Sequence, residues 1–151
     1  MAQATKQQLE AMAVADRLRP TLLHLSRELR RERIAGVSSH QVSLLSSIKY
    51  TPGVTVGELA SDERVSTAAM SKRVSRLERD GLVARTPSEK DRRCVGLTLT
   101  EEGQRVLRRV RSRRTAWLAS RLGALSPAEL AAVGAAAEPL ARLLELAEAR
   151  R

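Results

Sequence analysis

Between residues 7 and 33, Leu18, Leu22, Leu25 and Leu29 recur at helical spacing, while Arg17, Arg27, Glu28, Arg31 and Glu32 fill the other faces. That period marks one long amphipathic helix. Pro20 lies inside it and predicts a kink or a delayed start. Gly36 ends the unit. Ser38 then stands three residues before Gln41, a spacing in which each side chain satisfies a backbone N–H that the helix start leaves open. A helix follows through about Lys49, and Thr51-Pro52-Gly53 stops it. Thr55-Val56-Gly57-Glu58 repeats the device and opens a short helix ending near Ser61 or Asp62. Ser66 caps another, running through Arg79 to a stop at Asp80-Gly81. Two short helices joined by a tight turn, the second longer, make a helix-turn-helix pattern.

After Gly81 the period changes. Leu82 to Thr86 and Cys94 to Thr100 are β-leaning runs with partial alternation. The polar stretch Pro87 to Arg93 between them predicts a hairpin with an exposed, charged tip. Thr100 caps a long helix to about Leu122, with Glu101 and Glu102 in the first turn, where the helix dipole favours acids. Ser126-Pro127-Ala128-Glu129 combines a capping box with proline at the first helical position. The last helix carries Leu130, Val133, Leu140 and Leu144, with Pro139 as an expected irregularity. The predicted fold is mainly α with a small β-hairpin. It divides into an N-terminal helix (1–37), a helix-turn-helix with its hairpin (38–100) and C-terminal helices (101–151).

The helix from Ser66 separates its chemistry by face. Met70, Val74 and Leu77 recur at steps of four and three and point inward. The opposite side presents Ala68, Ala69, Lys72, Arg76 and Arg79, flanked by Ser71 and Arg73. Small residues at the helix start permit close approach to base edges, and the later basic residues supply donors to bases and phosphates. The plain alternative is a solvated helix face. The short helix before it and the hairpin after it favour a DNA major groove.

Charge supports that choice. The chain has 151 residues and a formal charge of +10, with 27 Lys+Arg against 17 Asp+Glu. Such a surplus favours polyanionic partners. It is uneven, at +5 over residues 101–123 but −1 over 124–151. With only Tyr50 and Trp117 aromatic, recognition by base stacking is nearly excluded. One cysteine, Cys94, leaves no intrachain disulfide and no multi-cysteine metal cage. No export signal or membrane-spanning apolar run is present, and a cytoplasmic location is expected.

The block Thr55 to Gly103 closely resembles the winged helix-turn-helix core of the MarR family of bacterial transcription regulators. The most specific pieces are Ser75 to Val83 (SRLERDGLV), Asp91 to Arg93 (DRR) and Leu99 to Gly103 (LTEEG). The flanking helices match in order and length. The resemblance implies a homodimer whose N- and C-terminal helices (1–37 and 101–151) interlock. It also implies a repressor of a near-palindromic double-stranded operator. Ser66, Thr67, Ala68, Ala69, Ser71, Lys72, Arg73 and Arg76 would read the major groove. Arg92 and Arg93 at the wing would enter the minor groove, with Asp91 bracing the tip. Many members are released from DNA by small aromatic or phenolic acids bound between the winged domain and the dimer layer. A cleft near the first, second and fifth helices is therefore the place expected for an effector.

Other residues carry less. Relatives that sense peroxide hold their cysteine in the first helix, and this chain has none there, so Cys94 reads as a strand residue. His24 and His40 have no ligand-spaced partners, and no metal or cofactor is expected. No nucleophile elbow, phosphate loop or paired carboxylates suggest an enzyme. The arginines from 105 to 114 read as surrounding their helix rather than making one basic face, with Val106, Val110 and Trp117 on the buried side and Arg105, Arg108, Arg109 and Arg113 as its solvated remainder. Two rival readings stand. One is a weakly selective architectural DNA-binding protein without a ligand, and the other is a helical protein-interaction module.

Overall fold

The computed structural model describes residues 2–32, 36–87 and 95–148. The helices are α1 (Ala2–Arg31), α2 (Ser39–Tyr50), α3 (Val56–Asp62), α4 (Thr67–Arg79), α5 (Glu101–Leu122) and α6 (Pro127–Glu148). The strands are β1 (Val54–Thr55), β2 (Val83–Pro87) and β3 (Val95–Leu99). The chain divides into two compact units, residues 1–114 and 115–151.

The helix starts lie where local chemistry puts them. Ser38 accepts from the Gln41 N–H at 3.2 Å, while Gln41 accepts from the Ser38 N–H at 2.8 Å. Thr55 and Glu58 make the same reciprocal pair at α3. So do Ser126 and Glu129 at α6, at 2.9 and 3.3 Å. The hydrogen bonds from Ser126 hold the Glu129 carboxyl below its ordinary range. Helix α4 ends on Gly81 at φ +71°. The Gly81 N–H reaches the Glu78 carbonyl and the Leu82 N–H reaches that of Leu77, each at 2.9 Å. This Schellman closure seats Leu82 on Leu77, and both are buried.

Three expectations change. Helix α1 starts at Ala2 rather than residue 7 and continues as α-helix through Pro20, as α6 does through Pro139. The alanine- and glutamine-rich start favours helix, and each proline removes one N–H within a much longer ladder. Leu82 belongs to the turn, and the strand begins at Val83. The two-residue strand β1 was not anticipated. It pairs antiparallel with β3, Val54 opposite Leu97, which gives a three-stranded sheet in the order β1-β3-β2. A two-residue strand has no periodicity to read, and only its tertiary partner makes it one.

One core serves the first unit. Leu44, Leu45 and Ile48 of α2, Leu59 of α3, Met70, Val74 and Leu77 of α4, and Leu97 of β3 are essentially inaccessible, joined by Val106, Leu107 and Val110 of α5. The start of α5 is fastened to the end of α4. Thr100 donates its hydroxyl to the Gly81 carbonyl at 2.6 Å and accepts from the Gly103 N–H at 3.1 Å. Gly103 lies so close to the Leu82 carbonyl that a Cβ has no room. In the second unit Trp117 is half-buried rather than fully buried, and the Arg121 guanidinium sits 3.6 Å from its ring centroid.

Candidate nucleic-acid interface

The turn between α3 and α4 sets the angle at which α4 is presented. Arg64 there adopts φ +53°, a left-handed conformation that side chains other than glycine rarely take. The Arg64 N–H bonds the Ser61 carbonyl at 3.1 Å and the Val65 N–H bonds that of Ala60 at 3.0 Å. These are the two bonds of a Schellman closure, here with arginine in the position glycine usually takes. Ser66 then caps α4, its hydroxyl accepting from the Ala69 N–H at 3.2 Å.

Burial along α4 follows the wheel. Met70, Val74 and Leu77 are sealed in the core. Ser66, Thr67, Ala68, Lys72, Arg76 and Arg79 are exposed, whereas Ala69, Ser71 and Arg73 are half-buried. Ser75 is exposed on the same outer side and was not among the anticipated groove residues. Its signal was available, since it lies three residues from Lys72 and one from Arg76.

Carboxylates near α4 are turned to internal partners. Glu63 meets Arg73 at 3.4 Å and lies 3.9 Å from His40 Nε2. Glu78 accepts from Arg85 Nε at 2.8 Å, tying α4 to β2. Asp80 accepts from the Gln41 amide at 3.3 Å, tying it to α2. Lys72, Arg76 and Arg79 have no carboxylate partner among the described residues. The outer face therefore keeps its positive charge while the acids brace the helix from behind. Arg73 differs from Lys72, Arg76 and Arg79 in that its half-buried guanidinium meets Glu63. Glu63 reaches Arg73 from the turn after α3, and no local spacing foretold that contact.

Strands β2 and β3 pair from Val83–Leu99 out to Pro87–Val95, so residues 88–94 connect them. Asp91, Arg92, Arg93 and Cys94 fall outside the described residues.

A model of the MarR family matches residues 37–95, spanning α2, the helix-turn-helix and β2 and ending at the first residue of β3. The transcriptional repressor MdtR of Bacillus subtilis is 32% identical over 141 residues, covering 93% of this chain and 85% of its own length. The chain belongs to the MarR family. A solved Pseudomonas aeruginosa protein assigned to transcriptional regulation superposes with a TM-score of 0.77 at 32% identity, over 90% of this chain and 96% of that one. FabT of Streptococcus pneumoniae, solved in complex with DNA, aligns with a TM-score of 0.55 at 25% identity, over 96% and 98% of the two chains.

In this MarR family regulator the six helices and the three-stranded antiparallel sheet form the winged-helix arrangement the resemblance implied. Among the described residues no helix is long and apolar enough to cross a membrane. His24 projects from α1 with its side chain 73% exposed, 3.9 Å from Glu28.

Proposed function

We propose that this chain is a homodimeric, sequence-specific repressor of transcription that acts on double-stranded DNA in the cytoplasm. The observation that carries the reading is the outer face of α4. There Lys72, Arg76 and Arg79 have no carboxylate partner among the described residues, while Glu63, Glu78 and Asp80 are engaged elsewhere. In this reading Ser66, Thr67, Ala68, Ala69 and Ser71 approach base edges, and Lys72, Arg73 and Arg76 engage bases and phosphates. Arg92 and Arg93 reach the adjoining minor groove, with Asp91 as their brace. Segment 38–100 is the DNA-binding part, and 1–37 with 101–151 forms the layer that meets a second copy.

The apolar side chains left exposed on one protomer support the dimer. Leu9, Met12, Val14 and Leu23 of α1 and Leu130, Val133, Leu143 and Leu144 of α6 are between 44% and 68% exposed. A monomer in water rarely keeps so much aliphatic surface uncovered. A two-fold dimer places two α4 helices about 34 Å apart and calls for a near-palindromic operator. Family likeness further supports release by a small aromatic or phenolic acid. Such a ligand must bind the DNA-incompetent spacing of the two α4 helices better than the competent one.

The test is titration of the full-length protein against its own upstream intergenic DNA and a scrambled duplex at matched salt. A specific regulator prefers its site by roughly 1,000-fold or more, and Lys72→Ala with Arg76→Ala weakens that binding. Equal, salt-sensitive binding to both duplexes rejects autoregulation and favours an architectural role or a distant operator. Intact duplex binding by a folded Arg92→Ala, Arg93→Ala dimer removes the wing from the interface and, if the α4 pair is also silent, favours a protein-interaction module.

A further inference from the structure

Helix α5 carries two opposed faces. Gly103, Val106, Leu107 and Val110 are buried in the core. The other side bears Arg105, Arg108, Arg109, Ser112 and Arg113, and these five side chains line one open groove of about 410 Å³. The four arginines lie on the solvated side, as the sequence suggests, but they share a single basic face, which the sequence does not suggest. Their spacing of i, i+3, i+4, i+7 and i+8 is that of a stripe, covering about 12 Å of helix at about 1.5 Å per residue.

Clustering like charges at i, i+4 destabilises a helix, and none of these chains is returned to the core. Two acids at the helix start offset part of the repulsion. Glu101 meets Arg105 at 3.2 Å, and Glu102 meets Arg105 at 2.8 Å and Arg109 at 3.2 Å. These contacts hold two guanidiniums in place as arms of a cradle. Arg108 has no carboxylate partner among the described residues.

We propose that this arginine groove binds a compact polyanion carrying two or more linked phosphates. The guanidinium fork matches phosphate oxygens in pairs, where an ammonium offers a point charge. The Ser112 hydroxyl adds a donor near the C-terminal end of the stripe. The groove volume falls within the ~300–1,000 Å³ typical of small-molecule sites. One feature favours a short ligand over a duplex backbone: Glu101 and Glu102 repel an anion that continues past the helix start. The site uses none of the α4 side chains assigned to DNA.

The experiment is calorimetric titration of the full-length protein with inorganic tripolyphosphate, against sodium sulfate at equal ionic strength, in the absence of DNA. Because a cationic protein attracts anions generally, three variants are compared: Arg108→Ala with Arg109→Ala, Arg108→Lys with Arg109→Lys, and Lys72→Ala with Arg76→Ala. The groove reading expects tripolyphosphate to bind more tightly than sulfate. The alanine pair loses that affinity by about tenfold or more, the lysine pair loses part of it, and the α4 pair stays within about twofold of wild type. It is overturned if the alanine pair binds like wild type, or if only the α4 pair weakens binding. It is equally overturned if the alanine pair spares tripolyphosphate but weakens duplex binding and flattens its salt dependence, which makes the stripe a backbone contact. Both arginines are exposed, and thermal melting establishes that each variant folds. If the alanine pair does not fold, the lysine pair decides, because full retention of affinity by lysine contradicts fork recognition.

Discussion

Replacing Gly103 by alanine tests how α5 is joined to the helix-turn-helix. Gly103 is the third residue of α5, and its N–H is satisfied by the Thr100 hydroxyl at 3.1 Å. A Cβ at this position falls far inside contact distance of the Leu82 carbonyl. That carbonyl cannot swing aside cheaply, since it accepts from the Thr100 N–H at 3.1 Å. It also follows Gly81, whose own carbonyl accepts from the Thr100 hydroxyl at 2.6 Å. Restoring van der Waals separation needs a shift on the order of 1 Å between two backbone segments. Overpacking of this kind costs about 1–3 kcal/mol, and a hydrogen-bonded backbone obstacle places it at the upper end. Alanine regains up to about 1 kcal/mol over glycine inside a helix. The expected net loss is about 2 kcal/mol, equivalent to roughly 4–8 °C in Tm for a chain this long. Urea denaturation of Gly103→Ala measures it. Gly57→Ala is the control, because a Cβ there meets only the Thr55 hydroxyl oxygen at 3.9 Å. It is expected to be neutral or stabilising by up to about 1 kcal/mol. If Gly103→Ala matches or exceeds wild-type stability, the close approach to Leu82 does not constrain the joint and the reasoning fails.

Three further outcomes are expected. Lys72→Ala with Arg76→Ala should lower affinity for operator and scrambled duplex alike and reduce the slope of log K against log salt by about 0.9 for each phosphate the variant no longer neutralises; an unchanged slope means these side chains do not meet phosphate. Arg64→Gly relieves a left-handed backbone costing about 1–2 kcal/mol but adds about 0.5–1 kcal/mol of unfolded-state entropy. A net gain of about 0.5 kcal/mol in denaturant unfolding is expected, and a loss would assign Arg64 a stabilising interaction that outweighs its strain. Glu129, whose carboxyl is held below its ordinary range by the Ser126 hydroxyl and then the Ser126 backbone, contributes to the α6 cap while ionised. That contribution is present above the unfolded-state value and disappears as pH falls through the lower folded one. Carboxyl NMR from about pH 6 to about pH 2.5 should place its midpoint below that of a free glutamate, and Ser126→Ala should raise it.

Sequence alone determined the features whose partners lie within one helical turn. The Ser38–Gln41, Thr55–Glu58 and Ser126–Glu129 boxes, the Ser66 cap and the Gly81 stop rest on bonds between residues three to five apart. The inward face of α4 was legible for the same reason, since Met70, Val74 and Leu77 recur at the helix's own period. Tertiary structure decided what depends on distant partners. Val54 and Thr55 are a strand only because β3 lies beside them. Arg73 is engaged rather than free because Glu63 approaches from the turn after α3. Gly103 is constrained by a carbonyl twenty-one residues earlier in the chain. The α5 arginines occupy an intermediate place. The sequence placed Val106 and Val110 on the buried side, and the structure buries them with Leu107, but that the opposite arginines line one groove was visible only in the structure. Local hydrogen bonds fix where a helix begins and ends, whereas long-range packing chooses the face it shows and the partners its charges meet.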